Sequence, residues 1–143
     1  MTDIIKEKPD KRKIYWFWSR KEDIGKLTLE KYLVVKHSAL VIHGRPIDMK
    51  YAIAQINKKP KICVLDMSGL DNSAISYEDV EGIKKGLFFS SRHKIGMITM
   101  NVPHMIIFAN NPPEYDYRWV VTEINEMNYE YTDMGVDNNV YGW

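Results

Sequence analysis

The chain has a single cysteine, Cys63, among its 143 residues, which excludes an intramolecular disulfide framework. Cys63 stands in an apolar run, so we expect a buried, reduced thiol. The four histidines, at positions 37, 43, 93 and 104, do not occur at zinc-ligand spacing with one another or with the cysteine. Zinc modules are therefore excluded as well.

Long hydrophobic runs are also lacking. The longest contain about five or six residues, whereas about 20 are needed to span a bilayer. The first residues are too highly charged for a signal peptide. A chain of this length can bury roughly two-thirds of its unfolded surface as one domain. We expect a soluble, intracellular, single-domain protein without a membrane partner.

Positive charge is almost absent from the last part of the chain. After Asn110, only Arg118 stands against seven carboxylates, a balance of −6. The first 110 residues contain 19 basic and 12 acidic side chains, a balance of +7, so the net charge of +1 hides a strong asymmetry. A basic body with an acidic tail suggests an anionic partner for the body.

The chain does contain alternating strand and helix signals. Continuous apolar runs predict buried strands at 14–18, 39–42, 62–65 and 105–108. Helices are predicted over 26–36, after Asp48 as N-cap, and after Ser76 with Asp79 in a capping box. The buried helix stripes would contain Met49, Ala52, Ile53 and Ile56, and then Val80, Ile83 and Leu87. Residues 88–102, with Gly96, fit a hairpin.

This order of elements predicts an α/β fold with three layers, in which helices flank a central, mostly parallel sheet, with a β-hairpin insertion. Residues 1–13 are predicted to form a flexible basic arm with at most a helical turn, and residues 14–124 the folded domain. Residues 125–143 are an acidic, Tyr-rich tail or an edge element.

Polar side chains follow the predicted strands where ligands bind in parallel α/β sheets, beyond the carboxyl ends. These ends carry Trp18, His43, Asp66 and Asn110. A divalent metal in a phosphate-transfer site needs such a carboxylate, and an amide can orient the attacking water. The alternative is simple turn chemistry, because Asp and Asn favour strand-to-turn positions.

The segment from strand 14–18 to helix 26–36 has the layout of a phosphate-binding loop. Gly25-Lys26 opens the helix, where backbone N–H groups and the lysine would face phosphates. Against G-x-x-x-x-G-K-[ST], the chain has Arg20 at the first glycine and Leu27 at the metal-ligand position, with Thr28 one residue late. A helix start in a surface loop is the alternative, but the order of lysine, aspartate and asparagine favours a nucleotide site.

A second group of cations surrounds the predicted hairpin. It contains Lys84, Lys85, Arg92, His93 and Lys94, which flank Phe88-Phe89. Cations beside aromatic rings suit a nucleic-acid backbone. An ordinary solvated face over a buried Phe pair explains the pattern equally well.

With these residues in place, the chain resembles the superfamily 3 helicase domain, a P-loop ATPase, of replication-initiator (Rep) proteins of circular single-stranded DNA viruses of the nanovirus and circovirus type. The resemblance runs from Pro9 to Trp119. It rests on the ordered segments IYWFW (14–18), Gly25-Lys26, KYL (31–33), Asp48 with YAI (51–53), ICVLD (62–66), GLFFS (86–90) and PHMIIFAN (103–110).

The resemblance implies a P-loop NTPase-like fold and an ATP-dependent helicase for rolling-circle replication. The implied cofactors are ATP and Mg²⁺, and the implied partners are single-stranded DNA, with RNA as an alternative, and further copies of the chain in a ring, as a hexamer. Localisation would be the host nucleus.

Site roles carry over residue by residue. Gly25 and Lys26 would cradle the phosphates, Asp66 would hold Mg²⁺, and Asn110 would sense the γ-phosphate. Because Leu27 stands at the family's Ser/Thr position, Thr28 would have to shift into the metal shell. The hairpin of Arg92, His93 and Lys94 would contact DNA. Arg118, in Tyr117-Arg118-Trp119, would be an arginine finger that reaches a neighbouring subunit's nucleotide.

Departures from the family pattern lie in the phosphate loop. Arg20 and Glu22 replace loop glycines, Glu22 and Asp23 place negative charge near the phosphates, and Leu27 removes a metal ligand. The second hypothesis is therefore a catalytically degenerate P-loop fold that binds nucleic acid or protein without ATP hydrolysis.

Overall fold

The structure is a computed structural model and describes residues 2–21, 25–71, 75–114 and 119–124. Its helices are α1 (Thr2–Lys6), α2 (Lys26–His37), α3 (Pro46–Gln55) and α4 (Tyr77–Lys85). Its strands are β1 (Ile14–Trp18), β2 (Leu40–His43), β3 (Ile62–Asp66), β4 (Leu87–Ser90), β5 (Gly96–Thr99), β6 (His104–Ala109) and β7 (Val120–Glu123).

The central sheet has the strand order β2-β3-β6-β1-β7. Every pair of neighbours in it runs parallel. Strands β3 and β6 are buried at every position, which explains why their sequences are continuous apolar runs. The predicted parallel α/β sheet is confirmed, and the carboxyl ends of β1, β2, β3 and β6 lie at one edge.

Two apolar clusters cover the two faces of the sheet. On one face, α3, α4 and the hairpin pack against Trp16, Leu65 and Ile107. On the other face, Leu29 and Leu33 of α2 pack against a second set of sheet residues. The predicted three-layer arrangement is confirmed. Cys63 is fully buried in the first cluster, and burial raises the pKa of its thiol to about 12.

The beginnings and ends of the helices test the capping predictions. Ser76 accepts a hydrogen bond from Asp79 N at 3.3 Å, so the predicted start of α4 is confirmed. Asp48 is not an N-cap: α3 begins at Pro46, and Asp48 accepts from the Arg45 N–H at 2.8 Å. Proline is favoured in the first turn because it has no N–H to satisfy there.

The predicted stripe of α4 wrongly included Leu87, which lies two residues beyond the end of the helix. Gly86 adopts φ +74° and ends the helix, and Leu87 begins β4 with half of its surface exposed. In α3, the fully buried apolar side chains are Met49 and Ile53, as predicted, with Ala54 beside them, whereas Ala52 and Ile56 are only partly buried.

The predicted hairpin is confirmed as an antiparallel pair of β4 and β5. Its side chains alternate: Phe88 and Ile98 face the core, whereas Phe89 and Met97 pair across the strands on the exposed face. Lys50 of α3 forms an ion pair with Asp79 of α4 at 2.9 Å, and its ammonium lies 5.7 Å from the centre of the Phe88 ring in β4.

Two elements differ from the sequence expectations. The N-terminal arm contains α1, whose Ile4 and Ile5 pack against the second cluster, so this part of the arm is docked. Strand β7 was not predicted; it is exposed along its length and pairs with β1 at the edge of the sheet. The predicted tail, 125–143, lies outside the described residues. None of the described helices has the length and hydropathy to cross a bilayer.

Candidate functional site

The first residue of α2 lies against the end of β3. Lys26 Nζ is 3.9 Å from Asp66 Oδ1 and also contacts the Ser68 hydroxyl. Gly25, the N-cap of α2, adopts φ +89°, a conformation that side-chain-bearing residues rarely tolerate. The first turn of α2 contains no acidic residue, so the positive end of the helix dipole and the Lys26 ammonium act in the same direction.

Asn110, at the end of β6, bridges two neighbouring loops. Its amide nitrogen donates to Ser19 O at 3.1 Å, and its amide oxygen accepts from the Gly69 N–H. The loops after β1 and β3 are thereby held beside each other. The structure thus brings Lys26, Asp66 and Asn110 to one edge of the sheet, where the sequence predicted a ligand.

Asp66 is almost completely buried and is the central acid of this group. Burial acts to raise the pKa of Asp66, but contacts with the Glu30 carboxyl and with the hydroxyl and N–H of Ser68 outweigh it and leave the pKa lowered. The nearby Lys26 charge acts in the same direction. Asp66 is therefore ionised at neutral pH.

Glu30, one turn after Lys26 on α2, was not among the predicted site residues. Its side chain is 3% exposed and hydrogen-bonds His43 Nε2 through Oε2 at 3.1 Å. Burial raises the pKa of Glu30, and the adjacent Asp66 carboxylate raises it further, to about 9. His43, at the end of β2, is 3.9 Å from Asp66 Oδ2. The i, i+4 spacing from Lys26 was the available signal for Glu30.

The predicted metal-ligand positions on α2 differ in exposure. Leu27 is 58% exposed, and Thr28, next to it, is partly buried. Glu22 and Asp23, whose negative charge the sequence places near the phosphates, lie outside the described residues. So does the predicted arginine finger, Arg118.

The turn of the hairpin carries the predicted basic group. The Arg92 guanidinium lies 5.3 Å from the centre of the Tyr51 ring, a cation–π contact with α3. His93 meets the same ring edge-on at 6.1 Å and adopts φ +64°, which fixes the turn. Lys94 and Lys85 are exposed. A groove of about 560 Å³ runs beside the turn, lined in part by Lys59, His93 and Lys94.

Lys84 lies apart from the other predicted cations. It is 1% exposed, and its ammonium donates to Pro103 O at 2.7 Å. Burial lowers the pKa of Lys84 to about 8. The sequence placed Lys84 with Lys85 on the surface, but α4 turns Lys84 inward and leaves Lys85 exposed.

The chain is similar to curated proteins of two alphasatellites. It is 30% identical over 115 residues to "Para-Rep C9" of the Faba bean necrotic yellows C9 alphasatellite, which covers 79% of this chain and 40% of that protein. It is 31% identical over 114 residues to "Para-Rep C3" of the Milk vetch dwarf C3 alphasatellite, which covers 78% and 39%. No protein-family profile and no solved structure gives a significant match.

The similarity to these two Para-Rep proteins extends over about four-fifths of this chain. The chain spans about two-fifths of the length of the curated relatives that it matches.

Proposed function

We propose that this chain is an ATP-dependent helicase domain, which couples Mg·ATP hydrolysis to movement along single-stranded DNA. The observation that carries the proposal is the convergence of Lys26, Asp66 and Asn110 at the carboxyl edge of a parallel sheet. The Rep-like relatives support a replication role for such a site.

The phosphates of ATP fit the start of α2. Gly25 provides a left-handed backbone without a side chain, Lys26 provides the charge, and the first turn contributes N–H groups without a competing carboxylate. The ammonium of Lys26 already lies between Asp66 and Ser68, near the position where a phosphate-bound cation would be held.

The Mg²⁺ of Mg·ATP fits the ionised Asp66 carboxylate, with the Thr28 hydroxyl as the second protein group. Bound Mg²⁺ would neutralise phosphate charge and orient the γ-phosphate. Asn110, which holds the loops after β1 and β3 together, would orient the attacking water and sense the γ-phosphate.

The hairpin is the proposed contact to DNA. Arg92, His93 and Lys94 lie at its turn beside a groove, and Phe89 with Met97 exposes apolar surface on which bases can stack. Lys85 adds charge at the base of the hairpin. The role proposed for Arg118 acts across a subunit interface, so full activity would require a ring, which we propose to be a hexamer.

We expect Mg·ATP to raise the unfolding temperature of the full chain in a saturable way, because a ligand that binds only the native state stabilises it. Lys26→Ala should abolish this rise, and Lys31→Ala, further along the same helix, should retain it. Thermal unfolding followed over a Mg·ATP titration gives the result. An equal rise in Lys26→Ala would refute the assignment of Lys26 to the phosphates.

We expect the double variant Arg92→Ala/Lys94→Ala to bind single-stranded DNA at least about tenfold more weakly at low salt, and with a salt slope reduced by about two. Fluorescence anisotropy of a labelled oligonucleotide at several salt concentrations measures both. Lys36→Ala, which removes an exposed cation from α2, is the matched control. The same loss in the control, or an unchanged salt slope in the double variant, would argue against contact at the hairpin.

The exposed Leu27 favours a second function. With no hydroxyl at that position, the chain could bind nucleic acid or protein without hydrolysing ATP. A measurement of phosphate release distinguishes the helicase from this second function, because the second function predicts that the chain binds DNA without releasing phosphate from ATP.

A further inference from the structure

A mixed group of ligand-type side chains lies beside the proposed nucleotide site. His43 and Asp66 are register partners at the ends of the parallel strands β2 and β3, and Gly44 N donates to Asp66 O at 3.1 Å, which fixes the strand ends. Glu30 approaches from α2. One ligand atom of each of Glu30, His43 and Asp66 lies within 4.8 Å of the other two.

Glu30 supplies a second, independent observation. Although its side chain is 97% buried, Oε1 has no hydrogen-bond partner within the part of the chain that the structure describes; His43 Nε2 lies 3.1 Å from it. Buried carboxyl oxygens are normally satisfied by a hydrogen bond or a cation. The Lys26 ammonium lies on the other side of the group, at Asp66 Oδ1 and Ser68. Glu30 Oε1 is thus available to a cation.

We propose that Glu30, His43 and Asp66 bind one divalent transition-metal ion. Ligands about 2.0–2.2 Å from a metal lie roughly 3–3.5 Å from one another. His43 Nε2 is 3.1 Å from Glu30 Oε1 and 3.9 Å from Asp66 Oδ2. A movement of the His43 ring by a few tenths of an ångström would therefore bring its distance to Asp66 into the range for ligands of one metal ion. The exposed His43 ring has room for this movement and leaves open positions for water.

The donor set selects the class of metal. One imidazole with two carboxylates favours Zn²⁺, Co²⁺ or Mn²⁺ over Mg²⁺, which prefers oxygen ligands alone. The site uses Asp66 Oδ2, whereas Lys26 occupies the Oδ1 side, where Mg·ATP is proposed to bind. The site shares Asp66 with the proposed function but needs neither nucleotide nor Lys26.

The test uses the full chain, treated with chelator and titrated with Co²⁺ alone, without nucleotide. We expect one equivalent to bind, with visible d–d absorption that reports imidazole and carboxylate coordination. Glu30→Gln and His43→Asn should each weaken binding about tenfold or more. His37→Asn, which removes an exposed histidine from the end of α2, should leave binding unchanged.

Absence of saturable Co²⁺ binding, or equal affinity in wild type and His43→Asn, would overturn the proposal. His43 is mostly exposed, so His43→Asn remains informative even where Glu30→Gln impairs folding, which circular dichroism detects. The outcome is separable from the proposed function. If the chain binds Co²⁺ but gains no stability from Mg·ATP, the metal site is supported and the helicase is refuted. If Mg·ATP stabilises the chain but Co²⁺ does not bind, the helicase is supported and the metal site is refuted.

Discussion

Trp16→Ala should lower the free energy of unfolding by about 3–5 kcal/mol, the range for truncation of a fully buried tryptophan. Trp16 is fully buried in β1, which lies between β6 and β7. Its ring stacks on Trp119 at 5.6 Å between centroids and on Tyr77 at 6.2 Å. Its Nε1 donates to Asn111 O at 2.9 Å. The substitution therefore removes core volume, ring contacts and a hydrogen bond together.

Chemical denaturation of wild type and variant measures this loss. Trp18→Ala, at the partly buried end of the same strand, is the matched control and should lose less, because its ring is already in contact with water. A loss below about 1 kcal/mol for Trp16→Ala, the centre of the distribution for ordinary substitutions, would mean that the aromatic cluster does not form.

Gly86→Ala, at the junction between α4 and the hairpin, should strongly lower the free energy of unfolding. The backbone there has φ +74°, which costs a side-chain-bearing residue about 1–2 kcal/mol. An added Cβ would also lie 2.2 Å from Met100 O, a backbone atom. Because Met100 N donates to Gly86 O at 2.9 Å, the clash separates two segments that are bonded to each other. Overpacking adds about 1–3 kcal/mol, so the total loss should be roughly 2–5 kcal/mol.

Gly69→Ala isolates the backbone contribution to that loss. Gly69 has φ +84°, but an added Cβ would meet no atom within 4 Å. It should therefore lose only the about 1–2 kcal/mol of left-handed strain. Equal losses at the two glycines would show that the contact between Gly86 and Met100 does not constrain the hairpin.

Most of the central sheet could be predicted from the sequence because burial on both faces leaves a continuous apolar run. IYWFW, ICVL and MIIF mark β1, β3 and β6 in this way. The edge strand β7 could not be predicted, since Val120–Glu123 is short and exposed and owes its conformation to pairing with β1. Propensity alone does not form such a strand.

The candidate site was only partly predictable. The sequence marks the start of α2 at Lys26 and the ends of β3 and β6 at Asp66 and Asn110. Because these positions lie at the same edge of a parallel sheet, the topology predicts that the three side chains lie close together. Glu30 lies inside α2, where an acid is usually a surface residue, and only the packing of α2 across β2 and β3 buries it against Asp66. The prediction that Lys84 lies on the surface was wrong. Its burial depends on a hydrogen bond to Pro103 O, which is distant in sequence, so the local pattern could not reveal it.

Phosphate release from Mg·ATP, measured with and without single-stranded DNA, tests the central claim most directly. The full chain should release phosphate above the level of Lys26→Ala, and single-stranded DNA should increase the rate. Release no faster than that of Lys26→Ala, with DNA present and the protein folded, would contradict an ATP-driven helicase and leave a nucleic-acid-binding module in its place.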